Sequence, residues 1–302
     1  MQKANNKFSI LTSFSLYSTY LSVRYFGFIV DSSIELTLPN KIGIIKAAIA
    51  KKEKVLVAFS GGVDSSTLAA LAFAALGDNA LAVTLYSPMI PQSELEYAKR
   101  TAEVIGIKHI VLDHDILSDE RIRINDPQRC YYCKKQFVKK LKGVASEEGL
   151  NVIMEGTNAS EITGRRPGLE ALREAGSSIF TPYVDFDVSK REVRQMASYL
   201  GLDVANRPSN SCLLSRLPYG TEVTSDLLGK IETAEDLIHS LGISSVRVRV
   251  HDDIARIEVQ PVDIPIIIQN RMPILSCLKE MGYPYVTLDL EGFRSGSMDE
   301  VL

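Results

Sequence analysis

From Asn40 onward the chain alternates between short apolar runs and longer stretches of helical periodicity. The runs 55–59, 80–85, 109–112 and 152–155 read as strands, the first of them fully buried. Segments 41–50, 65–75 and 93–105 read as helices, and Ser189 followed three residues later by Glu192 is a capping box that opens another. Such β-α alternation predicts an α/β fold built on a doubly wound parallel sheet, with its site at the carboxyl ends of the strands. After Pro218-Tyr219-Gly220 the pattern changes to an amphipathic helix over 224–241, strands at 245–250 and 255–260, a helix over 264–281 and a strand at 285–290. That α-β-β-α-β order predicts a smaller α+β domain. The expected organisation is an extension over 1–39, a first domain over 40–218 and a second over 219–302.

The extension is set apart by its composition. Residues 8–30 are rich in Phe, Tyr, Leu and Ile behind Lys3 and Lys7, but repeated Ser and Thr, the internal Arg24 and the lack of a small-residue cleavage site argue against a signal peptide. A central arginine also disfavours a membrane span. The segment reads as a poorly ordered or peripheral extension, and no membrane partner is expected.

Length and charge narrow the remainder. At 302 residues the chain can bury two cores. With 34 basic and 37 acidic residues the net charge is −3, which gives no global electrostatic reason to expect a nucleic-acid partner. Four unevenly spaced cysteines do not form a disulfide framework and point to a reducing, cytoplasmic compartment with metal or catalytic roles.

The first predicted strand runs directly into Ser60-Gly61-Gly62-Val63-Asp64-Ser65-Ser66 and then a helix. Gly61 and Gly62 let backbone amides approach an anion and adopt positive φ, and the helix start adds unpaired N–H groups. Ser60, Ser65 and Ser66 supply hydroxyl donors, while Asp64 either caps the helix or helps hold a magnesium ion. The turn lacks the Gly-Lys-Ser/Thr of a Walker A loop and does not fit Gly-x-Gly-x-x-Gly. Ser60 to Ser65 resembles the PP-loop of the ATP pyrophosphatases, the adenine nucleotide alpha hydrolase-like fold. The resemblance implies cleavage of ATP to AMP and pyrophosphate with adenylation of a substrate oxygen. Two further strand ends should line the same crevice, Leu85 beside the adenine and Gly156 beside the ribose or phosphates.

Cys130 and Cys133 form a Cys-x-x-Cys pair ahead of a predicted helix, flanked by Arg129, Lys134 and Lys135, and nearby cations are expected to favour thiolate. Cys212 lies far off in sequence, just before the domain boundary. Three thiols suit a [4Fe–4S] cluster with one open iron; a redox or persulfide pair and a zinc site are the other readings of Cys-x-x-Cys. Cys277 sits among apolar helix residues and reads as a core thiol. Arg247 and Arg249 alternate along one strand, so both guanidiniums project from one face and can clamp a phosphate or carboxylate, with Arg216 near the same junction.

Together these features resemble the LarE family, ATP-dependent sulfur-incorporating enzymes of nickel-pincer cofactor biosynthesis. The likeness runs from about Asn40 to the C-terminus. It is carried by Glu155-Gly156-Thr157-Asn158, Arg166-Pro167-Gly168, Lys190-Arg191-Glu192-Val193-Arg194, Arg207-Pro208-Ser209 with Cys212 and Arg216, Arg247-Val248-Arg249 and Gly296-Ser297-Met298. It implies adenylation of a carboxylate on a pyridinium biscarboxylate mononucleotide, then sulfur transfer to give a thiocarboxylate. Cys212 matches a cysteine that is sacrificed in one branch of the family, and Cys130 and Cys133 match the added pair of the cluster-bearing branch. The expected cofactors are therefore ATP, Mg²⁺ and a [4Fe–4S] cluster, with sulfide or another sulfur donor and a homo-oligomeric state. The extension and Ala205-Asn206, where a tryptophan is common, depart from the pattern. A tRNA-thiolating enzyme, an amide-forming PP-loop synthetase and a non-catalytic nucleotide-binding regulator are the rival readings.

Overall fold

A computed structural model describes residues 37–150, 152–162, 167–208 and 210–294. Most of the predicted extension, Arg166, Ser209 and the closing Gly296-Ser297-Met298 lie outside the described residues. The order is α1 (Leu38–Ala50), β1 (Val55–Ala58), α2 (Val63–Leu76), β2 (Ala80–Tyr86), α3 (Gln92–Ile105), β3 (Lys108–Asp113), a one-turn α4 (Glu120–Arg123) and α5 (Arg129–Glu147). Then come β4 (Val152–Met154), α6 (Pro167–Ala175), β5 (Ile179–Phe180), a one-turn α7 (Pro182–Asp185) and α8 (Lys190–Tyr199).

Strands β1 to β5 form a sheet in the order β3-β2-β1-β4-β5, every pairing parallel. Both faces are covered, which is why these strands read as unbroken apolar runs. Val55 and Val57 point into one core with α1, α2 and α8, while Leu56 points into the other with Leu141 and Val144 of α5. The chain builds outward from β1 through β2 to β3 and then returns to β4 on the other side of β1. The strand order therefore reverses between β1 and β4, and the crevice opens beyond their carboxyl ends.

The C-terminal region holds α9 (Ser225–Ser240), β6 (Val246–His251), β7 (Ile254–Val259), α10 (Ile264–Gln269), α11 (Arg271–Glu280) and β8 (Tyr285–Leu288). Its sheet runs β6-β7-β8, with β6 antiparallel and β8 parallel to β7. The single helix expected over 264–281 is instead two, because Pro273 has no N–H and its ring would strike the Gln269 carbonyl in a continuous helix. The core of this region also takes in Met89, Ile116 and Ile122, so the loop after β2 and the segment after β3 pack onto it. That packing brings the Cys212 turn and the Cys-x-x-Cys helix to one place.

Candidate active site

The cradle forms where β1 hands over to α2. Gly61 has φ +75°, and a Cβ there would lie 2.7 Å from the Ala98 Cα of α3, so only glycine fits. Gly62 has φ −72° and caps α2, contrary to the expectation that both glycines take positive φ. Ser65 Oγ donates to the Gly62 carbonyl at 3.2 Å, accepts from the Ser60 amide at 3.1 Å and meets Ser60 Oγ at 3.1 Å. Ser66 is fully buried, its hydroxyl without a partner, and it lines neither cavity described below; its place is behind the cradle.

Asp64 does not cap α2. Its carboxylate is held by Lys190 Nζ and, at 3.0 Å, by the Asn158 side-chain amide, which also donates to Glu161 at 3.0 Å. Lys190 opens α8, where the Ser189–Glu192 capping box is fully formed. A cation that the loop itself lacks thus reaches it from a helix more than a hundred residues away. Gly156, two residues past β4, lies against the cradle; a Cβ would come within 3.2 Å of the Asp64 backbone.

Two adjoining cavities open at the switch point. One of about 260 Å³ is lined by Phe59, Leu85, Lys134, Phe137, Gly156 and Thr157, among others, with more apolar than polar wall. Lys134 pairs with Glu155 at 2.9 Å, and Glu155 also accepts from the Thr157 amide at 2.8 Å. Burial opposes ionisation of Glu155, but Lys134 and the Thr157 amide outweigh it and hold the carboxyl below its usual range. The other cavity, about 330 Å³, runs from Ser60, Asp64 and Lys190 past Glu94 and Arg207 to Cys212. Cradle and thiol therefore share one cleft.

Cys130 and Cys133 lie inside the first turns of α5 rather than ahead of it. None of the four cysteines is in a disulfide; Cys130 is exposed and Cys133 and Cys212 are half-buried. Burial first, then the neighbouring Cys212 and Cys130, push the Cys133 thiol up to about 12. This reverses the expected thiolate preference: Lys134 and Arg129 act in the lowering direction, and desolvation outweighs them. The shared influence brings Cys130, Cys133 and Cys212 into one neighbourhood, although the described residues hold no group of three or more His, Cys, Asp or Glu arranged around a single ion.

The predicted phosphate clamp is buried. Arg216 forks onto Glu235 at 2.8 and 2.9 Å and donates to the Ser211 carbonyl, Ser211 Oγ and Ser215 Oγ. Arg249 pairs with Glu258 at 2.5 Å and donates to the Ser215 carbonyl at 2.6 Å. These two brace the turn that carries Cys212. Arg247 makes no ion pair among the described residues; it lies 4.4 Å over the Phe293 ring and donates to the Arg294 carbonyl. Burial, then the charges of Arg216 and Arg249, lower its guanidinium to about 10. Sequence reasoning assigned no role to Glu94, gave Lys134 only that of a cation beside the cysteines, and saw Glu155, Lys190 and Arg207 only as motif members.

A Lactiplantibacillus plantarum protein named pyridinium-3,5-bisthiocarboxylic acid mononucleotide synthase is 38% identical over 267 residues, 88% of this chain and 96% of that protein. The chain belongs to the LarE family. An uncharacterized protein of Synechocystis sp. is 36% identical over 267 residues, 88% of this chain and 99% of its own length. Outside that group, a tRNA-specific 2-thiouridylase of Rickettsia prowazekii is 27% identical over 225 residues, 62% of each chain. Residues 44–131, from α1 to the Cys-x-x-Cys turn, match the asparagine synthase family. As a LarE family member the chain carries the PP-loop fold that its five-stranded sheet displays.

Proposed function

We propose that this chain is an ATP-dependent sulfur transferase that adenylates a carboxylate of a pyridinium biscarboxylate mononucleotide and converts it to a thiocarboxylate in nickel-pincer cofactor biosynthesis. The observation that carries the reading is the single cleft shared by the Ser60–Ser65 cradle and Cys212. The identity to the Lactiplantibacillus plantarum synthase over nearly its whole length supports the substrate class.

ATP lies with its adenosine against Leu85, Phe137 and Gly156 and its pyrophosphate on Ser60, Gly61, Gly62 and Ser65, facing Lys190. Asp64 would hold a magnesium ion, which would supply positive charge to offset the phosphates. A carboxylate oxygen attacks the α-phosphorus, the P–O bond to pyrophosphate breaks, and the acyl adenylate forms. A sulfur nucleophile then adds to the acyl carbon and AMP departs with the C–O electron pair, leaving a C–S bond. Arg216 and Arg249 fix the thiol-bearing turn, and Arg247, buried over Phe293 and lining neither cavity, is the one member of the expected phosphate clamp without an ion pair among the described residues.

For the sulfur source we favour a [4Fe–4S] cluster on Cys130, Cys133 and Cys212. Cys133 feels both Cys130 and Cys212, and three thiols gathered in this way fit such a group. Bound there, it supplies an open iron able to carry an extra sulfide. Cysteines outside any disulfide suit a reducing cytoplasm. Exposed Val262, Ile268, Met272 and Tyr285 on the C-terminal region suit burial in a homo-oligomer.

Anaerobic purification with iron and sulfide quantitation tests the cluster, and about four irons per chain are expected. Absence of iron, with loss of the mass of H₂S from Cys212 after one turnover, would replace it with a sacrificed cysteine.

A further inference from the structure

Between the cradle and Cys212 stands an ion pair that the reaction above does not use. Arg207 Nη1 and Nη2 donate to the two oxygens of Glu94, each at 2.8 Å, and Asn210 adds a bond to the same carboxylate at 3.0 Å. The guanidinium lies 3.8 Å over the Tyr97 ring. Arg194 grips the backbone behind it, donating to the Ala205 carbonyl at 2.6 Å and to the Arg207 carbonyl at 3.1 Å. Arg207 is thus oriented by Tyr97 and Arg194 independently of Glu94. Its side chain and that of Glu94 are 27% and 16% exposed, so the pair is partly solvated and exchangeable.

We propose that Arg207 is the receptor for a carboxylate of the substrate, and that Glu94 occupies that carboxylate's seat while the cleft is empty. The assignment rests on the substrate class proposed above. Among the described residues the cleft lining supplies two cations, and Lys190 is committed to Asp64 and the pyrophosphate side. That leaves Arg207 to recognise charge on the pyridinium ring. A planar fork matches a carboxylate bidentately, which Glu94 already displays. The fork takes the carboxylate that is not reacting, since two charge-assisted bonds on the reacting one would drain its nucleophilicity. The reacting carboxylate is thereby aimed at the α-phosphorus, and Glu94 swings toward Asn210.

The test compares two pyridinium mononucleotides that differ only at this group, nicotinate mononucleotide with a carboxylate and nicotinamide mononucleotide with an uncharged amide. Calorimetric affinities are measured for wild type, Arg207→Gln, Arg207→Lys and Glu94→Gln, with thermal unfolding to establish that each variant is folded. Wild type should prefer nicotinate mononucleotide. Arg207→Gln should weaken it roughly ten- to a hundredfold while sparing the amide, because two bonds to a charged group are lost. Arg207→Lys, which keeps the charge without the fork, should fall between. Glu94→Gln should tighten nicotinate mononucleotide by up to about fivefold by removing the internal competitor. Discrimination that survives Arg207→Gln, or equal weakening of both compounds, overturns the assignment alone. Failure of wild type to bind either compound overturns the substrate class and the assignment with it.

Discussion

Replacing Lys190 with methionine should separate ATP binding from AMP binding. Lys190 is the cation that faces the Ser60–Ser65 cradle, it is 28% exposed, and its present partner is Asp64. A full charge pair at about 4 Å with an effective dielectric near 20 is worth ~4 kcal/mol. Sharing with Asp64 and partial exposure reduce that, and a charge-assisted hydrogen bond of about 1.5–3 kcal/mol is the realistic loss. The dissociation constant for ATP should therefore rise roughly ten- to a hundredfold. AMP has no β- or γ-phosphate, and its affinity should change little, since the walls proposed for adenosine lie on β2, on α5 and just past β4. Titration calorimetry with ATP and AMP on wild type, Lys190→Met and Lys190→Arg gives the ratio directly. If ATP and AMP weaken together, Lys190 is only a brace for Asp64. If neither changes, the cradle does not hold the pyrophosphate where the geometry puts it.

Three further consequences concern the frame around the site. Glu235→Ala leaves Arg216, 1% exposed, buried without its counter-charge and should cost about 3–5 kcal/mol, read as a lower urea midpoint at unchanged m-value; a loss under about 1 kcal/mol would contradict the bracing role. Gly61→Ala forces a left-handed alanine, worth about 1–2 kcal/mol, and a clash with Ala98, so ATP affinity and unfolding temperature should both fall; an unchanged variant would show that the turn is not as described. Burial lowers His109, His114 and His251 below the ordinary 6.5, so below that pH the unfolded chain takes up more protons than the folded one and stability is lost as pH drops. The unfolding temperature should decline from pH 6.5 downward, less steeply in His109→Gln; a flat profile would refute the burial.

The frame was legible wherever one local signal decided the structure. Unbroken apolar runs marked β1 and β2, and the Ser189–Glu192 box placed the start of α8. Two-residue β5 carries too few positions to show a pattern. The helix break at Asn270 was open to prediction from Pro273, whose ring cannot follow four helical residues. Long-range pairs were not legible: nothing local links Glu94 to Arg207 or Asp64 to Lys190, so the cations of the cleft emerged only from the fold. Charge near Cys133 was visible, but the desolvation that overrides it was not. Likewise the β-strand period set Arg247 and Arg249 on one face without revealing that Glu258 already claims Arg249.

The proposed action of Cys212 in the same cleft that activates the carboxylate can be tested directly. The direct measurement is an anaerobic single turnover with ATP and the pyridinium biscarboxylate mononucleotide, followed by mass spectrometry of the nucleotide product and assay of pyrophosphate, for wild type and Cys212→Ser. Wild type should yield thiocarboxylate, AMP and pyrophosphate together, while Cys212→Ser should release pyrophosphate and form no carbon–sulfur bond. Thiocarboxylate from Cys212→Ser, or pyrophosphate without any sulfur-containing product from wild type supplied with sulfide, would contradict it.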